Sequence, residues 1–106
     1  MRKIEISING VAYPCRQTMG AMLRFKEITG REVTEIVDNA ISDMCTYLYC
    51  CVKSASQHEG KDFNLSLIDF ADSINASDVE EWARTINEDD NNTTEEKGAK
   101  KRLQNN

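Results

Sequence analysis

An α+β fold, mostly α, is predicted: an N-terminal β-hairpin packed on a bundle of about four helices, then a disordered C-terminal tail. Three observations predict it. Isoleucines at 4, 6 and 8 alternate with polar residues directly before Asn9-Gly10. Apolar side chains then recur every three or four residues, most regularly between Glu35 and Gln57. After Asn87 a single large apolar residue, Leu103, remains in 19 positions. Residues 1–87 are thus read as one domain and 88–106 as a polar tail, too poor in apolar surface to offset its ordering entropy.

The first element, Lys3 to Ile8, has the alternation of a half-buried strand. Asn9 and Gly10 both tolerate the positive φ of a type I′ turn, which makes Val11 to Cys15 the return strand. Pro14 lacks an amide donor and belongs at an edge or at the strand's end. A lone hairpin is marginal in water. Its isoleucine face must therefore pack on helices, or the hairpin must pair with another chain.

From Gln17 or Thr18, either of which can cap it, a short helix follows. Met19, Met22, Leu23, Phe25 and Ile28 line one of its sides, and Gly30 stands at the C′ position. Gly20 weakens this helix by about 1 kcal/mol relative to Ala; close backbone packing is its expected role.

The stretch Glu35 to Gln57 is the central rod. Ile36, Ala40, Met44, Leu48 and Val52 recur at helical spacing, with Val37, Ile41, Cys45 and Cys51 beside them. Its length is roughly 34 Å at about 1.5 Å per residue. Thr34 is one N-cap. The alternative is a short turn ending near Asp38-Asn39, with the main helix capped there or at Ser42. Tyr47 and Tyr49 point to different sides, so one is expected in the core and the other exposed.

His58 to Asp62 is a loop. Phe63 to Ile74 places Leu67, Phe70, Ala71 and Ile74 on one face, with Asn64 or Ser66 as cap. Ser77-Asp78-Val79-Glu80 matches a capping box. It opens a last helix with Val79, Trp82, Ala83 and Ile86 inward and Trp82 as core anchor.

Composition narrows the function. A net charge of −5, with no Lys/Arg cluster fit to track phosphates, argues against nucleic acid. The start MRKIEISING lacks the long apolar region of a signal peptide, and no stretch reaches the roughly 18 apolar residues of a membrane span. A cytosolic chain is expected. Cys15, Cys45, Cys50 and Cys51 form no Cys-x-x-Cys pair, which disfavours zinc, and in a reducing compartment they act as small apolar residues.

No catalytic kit is visible, and no catalytic, cofactor-binding or metal-binding residue is assigned. His58 is the sole histidine, and its separation from Cys51 along the chain gives no reason for a Cys/His pair. Asp69 and Asp72, at i and i+3, are able to hold a divalent ion, as are Asp78, Glu80 and Glu81. A solvated face is the preferred reading, because acids in first turns also suit the helix dipole. No phosphate loop, dinucleotide fingerprint or EF-hand loop occurs. A small metal-dependent or thiol enzyme is the remote alternative.

Charge is unevenly spread. Residues 1–58 carry seven basic and six acidic side chains, and residues 59–87 carry two and seven. Arg16, Arg24, Lys26 and Arg31 make one stretch locally basic. Opposite poles can steer copies head to tail or dock a basic partner; plain solvation is the competing reading.

Together these features resemble the small tail assembly chaperones of long-tailed bacteriophages and prophages. The resemblance rests on the Ile4-x-Ile6-x-Ile8-Asn9-Gly10 hairpin and on Leu23-Arg24-Phe25-x-x-x-Thr29-Gly30. It continues through Leu48-Tyr49 in the long helix and the acidic helix pair from Phe63 to Glu88, covering roughly residues 3–88. The resemblance implies a non-enzymatic protein of the bacterial host cytoplasm. Such a protein binds the tape-measure protein, keeps it soluble, helps recruit tail-tube protein and is absent from the finished virion. In many phages a longer form arises by frameshifting. Self-association is a further expectation. The runner-up is a structural head–tail or tail-completion protein retained in the virion. The adjacent cysteines and the asparagine-rich end stand outside the family pattern.

A chaperone of this kind needs a groove or strip for an amphipathic helix. Met19, Met22, Phe25, Met44, Tyr47 and Tyr49 are the candidate partner-binding residues, methionine being suited to adaptable surfaces. Core filling is the competing role for the methionines.

Overall fold

Alternation at Ile4, Ile6 and Ile8 resolves into an antiparallel hairpin in the computed structural model, which describes residues 4–94 and side chains as far as Ile86. Strand β1 (Glu5–Ile8) pairs with β2 (Val11–Pro14), Ile8 opposite Val11 and Glu5 opposite Pro14. Asn9 and Gly10 hold φ of 52° and 82°, both left-handed, as a type I′ turn demands. Pro14 ends its strand, where a missing donor costs least. Ile8 is fully buried and Ile4 and Ile6 half-buried, so the isoleucine face meets the helices.

Helix α1 (Met19–Thr29) starts at Thr18, whose Oγ1 accepts from the Ala21 N–H at 3.1 Å. It stops at Gly30, left-handed at φ 79° and donating to the Lys26 carbonyl. A 3-10 turn, Val33–Glu35, follows, with Glu32 and Glu35 exchanging side-chain-to-amide hydrogen bonds.

The rod does not begin at Glu35. Helix α2 spans Ile41–Glu59, so the alternative break near Asp38-Asn39 is the one observed. Asn39 sits at φ 67°, a conformation no α-helix accommodates, while the Glu32–Glu35 exchange satisfies the preceding turn's donors locally. Thr34 lies inside that turn and caps nothing, and Ala40 precedes α2 without a side-chain cap.

Helix α2 is the centre. It packs against α1, α4, α3 and β2, and every residue from Tyr47 to Val52 is buried. A helix covered all round has no outward face over that stretch. Both tyrosines are therefore internal, which corrects the expectation that one is exposed. Tyr47 stacks edge-on to Phe25 and Trp82, with ring centroids 6.0 and 5.8 Å away. Tyr49 meets Phe63 and Phe70 at 5.8 and 5.4 Å. Each hydroxyl donates inward, Tyr47 to Gln17 Oε1 at 3.2 Å and Tyr49 to the Leu65 carbonyl at 3.0 Å.

Helix α3 (Leu67–Asp72) is shorter than the 63–74 expected, since the Ser66 hydroxyl caps it by accepting from the Asp69 N–H. Phe63 nonetheless reaches the core from the preceding coil. Helix α4 (Ala76–Thr94) opens two residues earlier than predicted. Its capping box is Asn75 with Asp78: Asn75 Oδ1 accepts from the Asp78 N–H at 3.1 Å, and Asp78 Oδ2 from the Asn75 N–H at 3.0 Å. Ser77 only donates to Asn75 Oδ1. Trp82, 6% exposed, anchors α4 as expected.

The α4 backbone continues to Thr94, past residue 87. No glycine or proline interrupts the chain between Ala76 and Gly98, and extending a formed helix is far easier than starting one. Of the tail expected over 88–106, residues 95–106 lie outside the described residues.

Candidate functional site

Helix α1 has two contrasting sides. Ala21 and Phe25 are fully buried against the body, whereas Met19 and Leu23, one turn apart, are 65% and 64% exposed. Met22 lies half-buried between these sides. The result is a short apolar strip on the outer face of α1. Side chains of that kind gain little from water and gain more from a partner's apolar surface.

Around the strip the charge is basic. Lys26 pairs with Glu32 at 3.1 Å, and Arg31 grips Asp43 through both guanidinium nitrogens. Arg24 turns the other way, its Nε donating to Ser54 Oγ at 2.9 Å and its Nη2 to Gln57 Oε1. Arg24, Arg16 and His58 border a recess of about 360 Å³, with the Thr18 and Ser54 hydroxyls beside them.

The six partner-binding candidates divide evenly. Met19 is exposed, and Met22 and Met44 are half-buried against the core margin. Phe25, Tyr47 and Tyr49 are core residues and offer no surface, because α1 and the all-round packing of α2 enclose them. Met19, Met22, Leu23, Phe25 and Ile28 were expected to share one side; instead Phe25 is buried, Ile28 is exposed and Leu23 is the second member of the strip. Its i+4 spacing from Met19, opposite Ala21 and Phe25, was the signal for it.

A second recess, of about 430 Å³, opens between β1 and α4. Ile4, Ile6 and Ser7 line it on one side, and Asp78, Glu81 and Trp82 on the other. The acidic and basic recesses give structural form to the uneven charge of the sequence. The Trp82 indole N–H and the Ser56 hydroxyl are buried with no hydrogen-bond partner among the described residues.

The cysteines are free thiols. Burial pushes the Cys50 thiol up to about 11 and raises those of Cys45 and Cys51 as well. Such thiols stay protonated at neutral pH and are poor nucleophiles. Among the described residues, no group of three or more His, Cys, Asp or Glu side chains is placed to hold a metal ion. No helix among them is long and apolar enough to cross a membrane.

Comparison with protein-family models, with curated proteins and with solved structures finds no match to this chain.

Proposed function

We propose that this chain is a protein-binding module whose work is done by surfaces rather than by reacting groups. Within that class, our reading is a non-enzymatic tail assembly chaperone of a bacteriophage or prophage. It holds the tape-measure protein in the cytoplasm of the bacterial host and helps recruit tail-tube protein.

The observation that carries the reading is the exposed Met19–Leu23 strip on α1. It gives an amphipathic partner helix two apolar contacts, on a helix otherwise firmly seated by Ala21 and Phe25. The hairpin motif and the Leu23-to-Gly30 stretch of the sequence support the family assignment.

Co-expression with a tape-measure fragment tests the proposal. The fragment is expected to become soluble and to copurify, and Met19→Glu with Leu23→Glu is expected to abolish both while leaving the circular dichroism unchanged. A fragment that stays insoluble beside well-folded wild-type chain overturns the reading. Detection of the chain in purified virions assigns it instead to the structural components of the particle.

A further inference from the structure

The two edges of the hairpin differ at one end, where β2 finishes on a proline and β1 does not. Ile4 takes the Cys15 amide at 3.0 Å, and the register places Ile6 opposite Tyr13 and Ile8 opposite Val11. Hydrogen-bonded pairs alternate along an antiparallel ladder. Ser7 is accordingly a non-bonded position, and its N–H and C=O point away from β2 to the outer edge of β1. On β2 the position opposite Ser7 is Ala12, which also points its N–H and C=O outward; Pro14, opposite Glu5, has no N–H to offer, so only the end of that edge is closed to a further strand.

The outer edge of β1 does not face bulk solvent alone. Beside it lies the 430 Å³ cleft, closed on the far side by α4 with Trp82, Asp78 and Glu81. That volume is within the range of about 300–1,000 Å³ usual for ligand clefts. Asp78 is engaged by the Asn75 amide but by no cation, and Glu81 is exposed. Neither forms an ion pair among the described residues. The cleft thus combines the outward-facing Ser7 backbone, an indole wall and two carboxylates, Asp78 and Glu81, that form no ion pair among the described residues.

We propose that this cleft takes an extended, basic segment of the partner protein, added as a third strand beside β1 with lysine or arginine side chains against Asp78 and Glu81. Main-chain hydrogen bonds to Ser7 supply binding, and the two carboxylates select the charge of the occupant. The inference rests on the protein-binding reading above and gives it a second contact, of a different kind from the α1 strip.

Trp82 is the only tryptophan in the chain, so its fluorescence reports directly on the cleft. The full chain is titrated with the acetylated, amidated hexapeptide (Lys-Val)3 and, separately, with (Glu-Val)3. A saturable change with the lysine peptide is expected, with none for the glutamate peptide and a reversed preference in Glu81→Lys. Two further lysine peptides are N-methylated at alternate residues, one at the odd and one at the even positions. One of them is expected to bind roughly tenfold more weakly and the other to bind as the parent does, because only one set of amides faces β1.

Equal binding of both charges, or the same affinity for both N-methylated peptides, overturns the proposal. So does an emission shift, without peptide, when Lys97, Lys100, Lys101 and Arg102 are all replaced by Gln; the occupant is then the chain's own basic stretch. If the tape-measure fragment copurifies while no peptide binds, the cleft inference alone fails. If the fragment does not copurify, the functional reading fails whatever the peptides do.

Discussion

The Arg31 guanidinium meets the Asp43 carboxylate fork to fork, Nη1 lying 2.6 Å from Oδ2 and Nη2 2.8 Å from Oδ1. The pair ties the segment after α1 to the first turn of α2, across the 3-10 turn and the left-handed Asn39. Arg31 holds the Asp43 carboxyl below its ordinary range, chiefly through these hydrogen bonds. A depressed carboxylate stabilises the fold above its unfolded value of about 3.9 and ceases to as pH falls through its folded value. Thermal midpoints measured between about pH 2 and pH 6 should therefore fall on acidification, and less steeply in Asp43→Asn. Identical slopes in the two proteins would show that the pair contributes nothing.

At the alkaline end the sign reverses. Burial raises the phenols of Tyr47 and Tyr49 and the thiol of Cys50. Stability from a raised acid is complete below the unfolded value, about 8.5 for cysteine and about 10 for tyrosine, and is lost as pH climbs toward the folded one. The phenolate absorbance of Tyr47 and Tyr49 is expected to appear together with loss of helical circular dichroism. If it appears first, in the folded chain, the two hydroxyls are not as enclosed as their contacts indicate. By the same logic a thiol reagent at neutral pH should label Cys50 and Cys51 only on unfolding.

Gly20 is a place where the chain gives up stability. A Cβ built there meets Ser54 Oγ at 3.5 Å and Thr18 Oγ1 at 3.6 Å, ordinary contact distances. Close backbone packing therefore does not require a glycine, contrary to the role expected from sequence. Gly20→Ala should raise unfolding stability by about 0.5–1 kcal/mol through helix propensity. Urea denaturation with an unchanged slope reads this directly, and a destabilised variant would mean that Ser54 cannot yield without releasing Arg24.

The start of α4 offers a paired test. Asn75→Ala removes the acceptor for the Asp78 amide and should cost about 1 kcal/mol, within the usual range of N-caps. Ser77→Ala loses a hydroxyl that satisfies no backbone donor, and should change stability by less than about 0.5 kcal/mol. The opposite order in denaturant midpoints would restore the register in which Ser77 is the cap.

That register shows where sequence reasoning stops. Ser77-x-x-Glu80 and Asn75-x-x-Asp78 both satisfy the capping pattern, and only the neighbouring backbone chooses between them. Features written into two or three adjacent residues were legible: the Asn9-Gly10 turn and the Gly30 stop outright, and the caps at Thr18 and Ser66 each as one of two choices, beside Gln17 and Asn64. Trp82 as an anchor was legible from helical spacing. The number of neighbours around a helix was not. One of Tyr47 and Tyr49 was expected to be exposed because a helical wheel marks only their directions, not that α3 and Phe63 occupy the space beyond Tyr49. The start of α2 stayed open for a related reason, since Asn39 is equally at home in a cap and in a left-handed break. Of the α1 strip, Met19 was read from the sequence and Leu23 was not, although both lie opposite Phe25.

The Arg16 amide donates to the Cys51 carbonyl at 3.4 Å, joining the end of the hairpin to the middle of α2. During synthesis the hairpin is complete long before that part of α2 has left the ribosome, because chains emerge N-terminus first. Ile8 and its neighbours then have no surface of their own chain to settle on. The nascent polypeptide thus passes through an interval in which its isoleucine-bearing first segment is exposed to whatever hydrophobic company is near. Slowing translation between codons 16 and 51 should lengthen that interval and lower the yield of soluble protein.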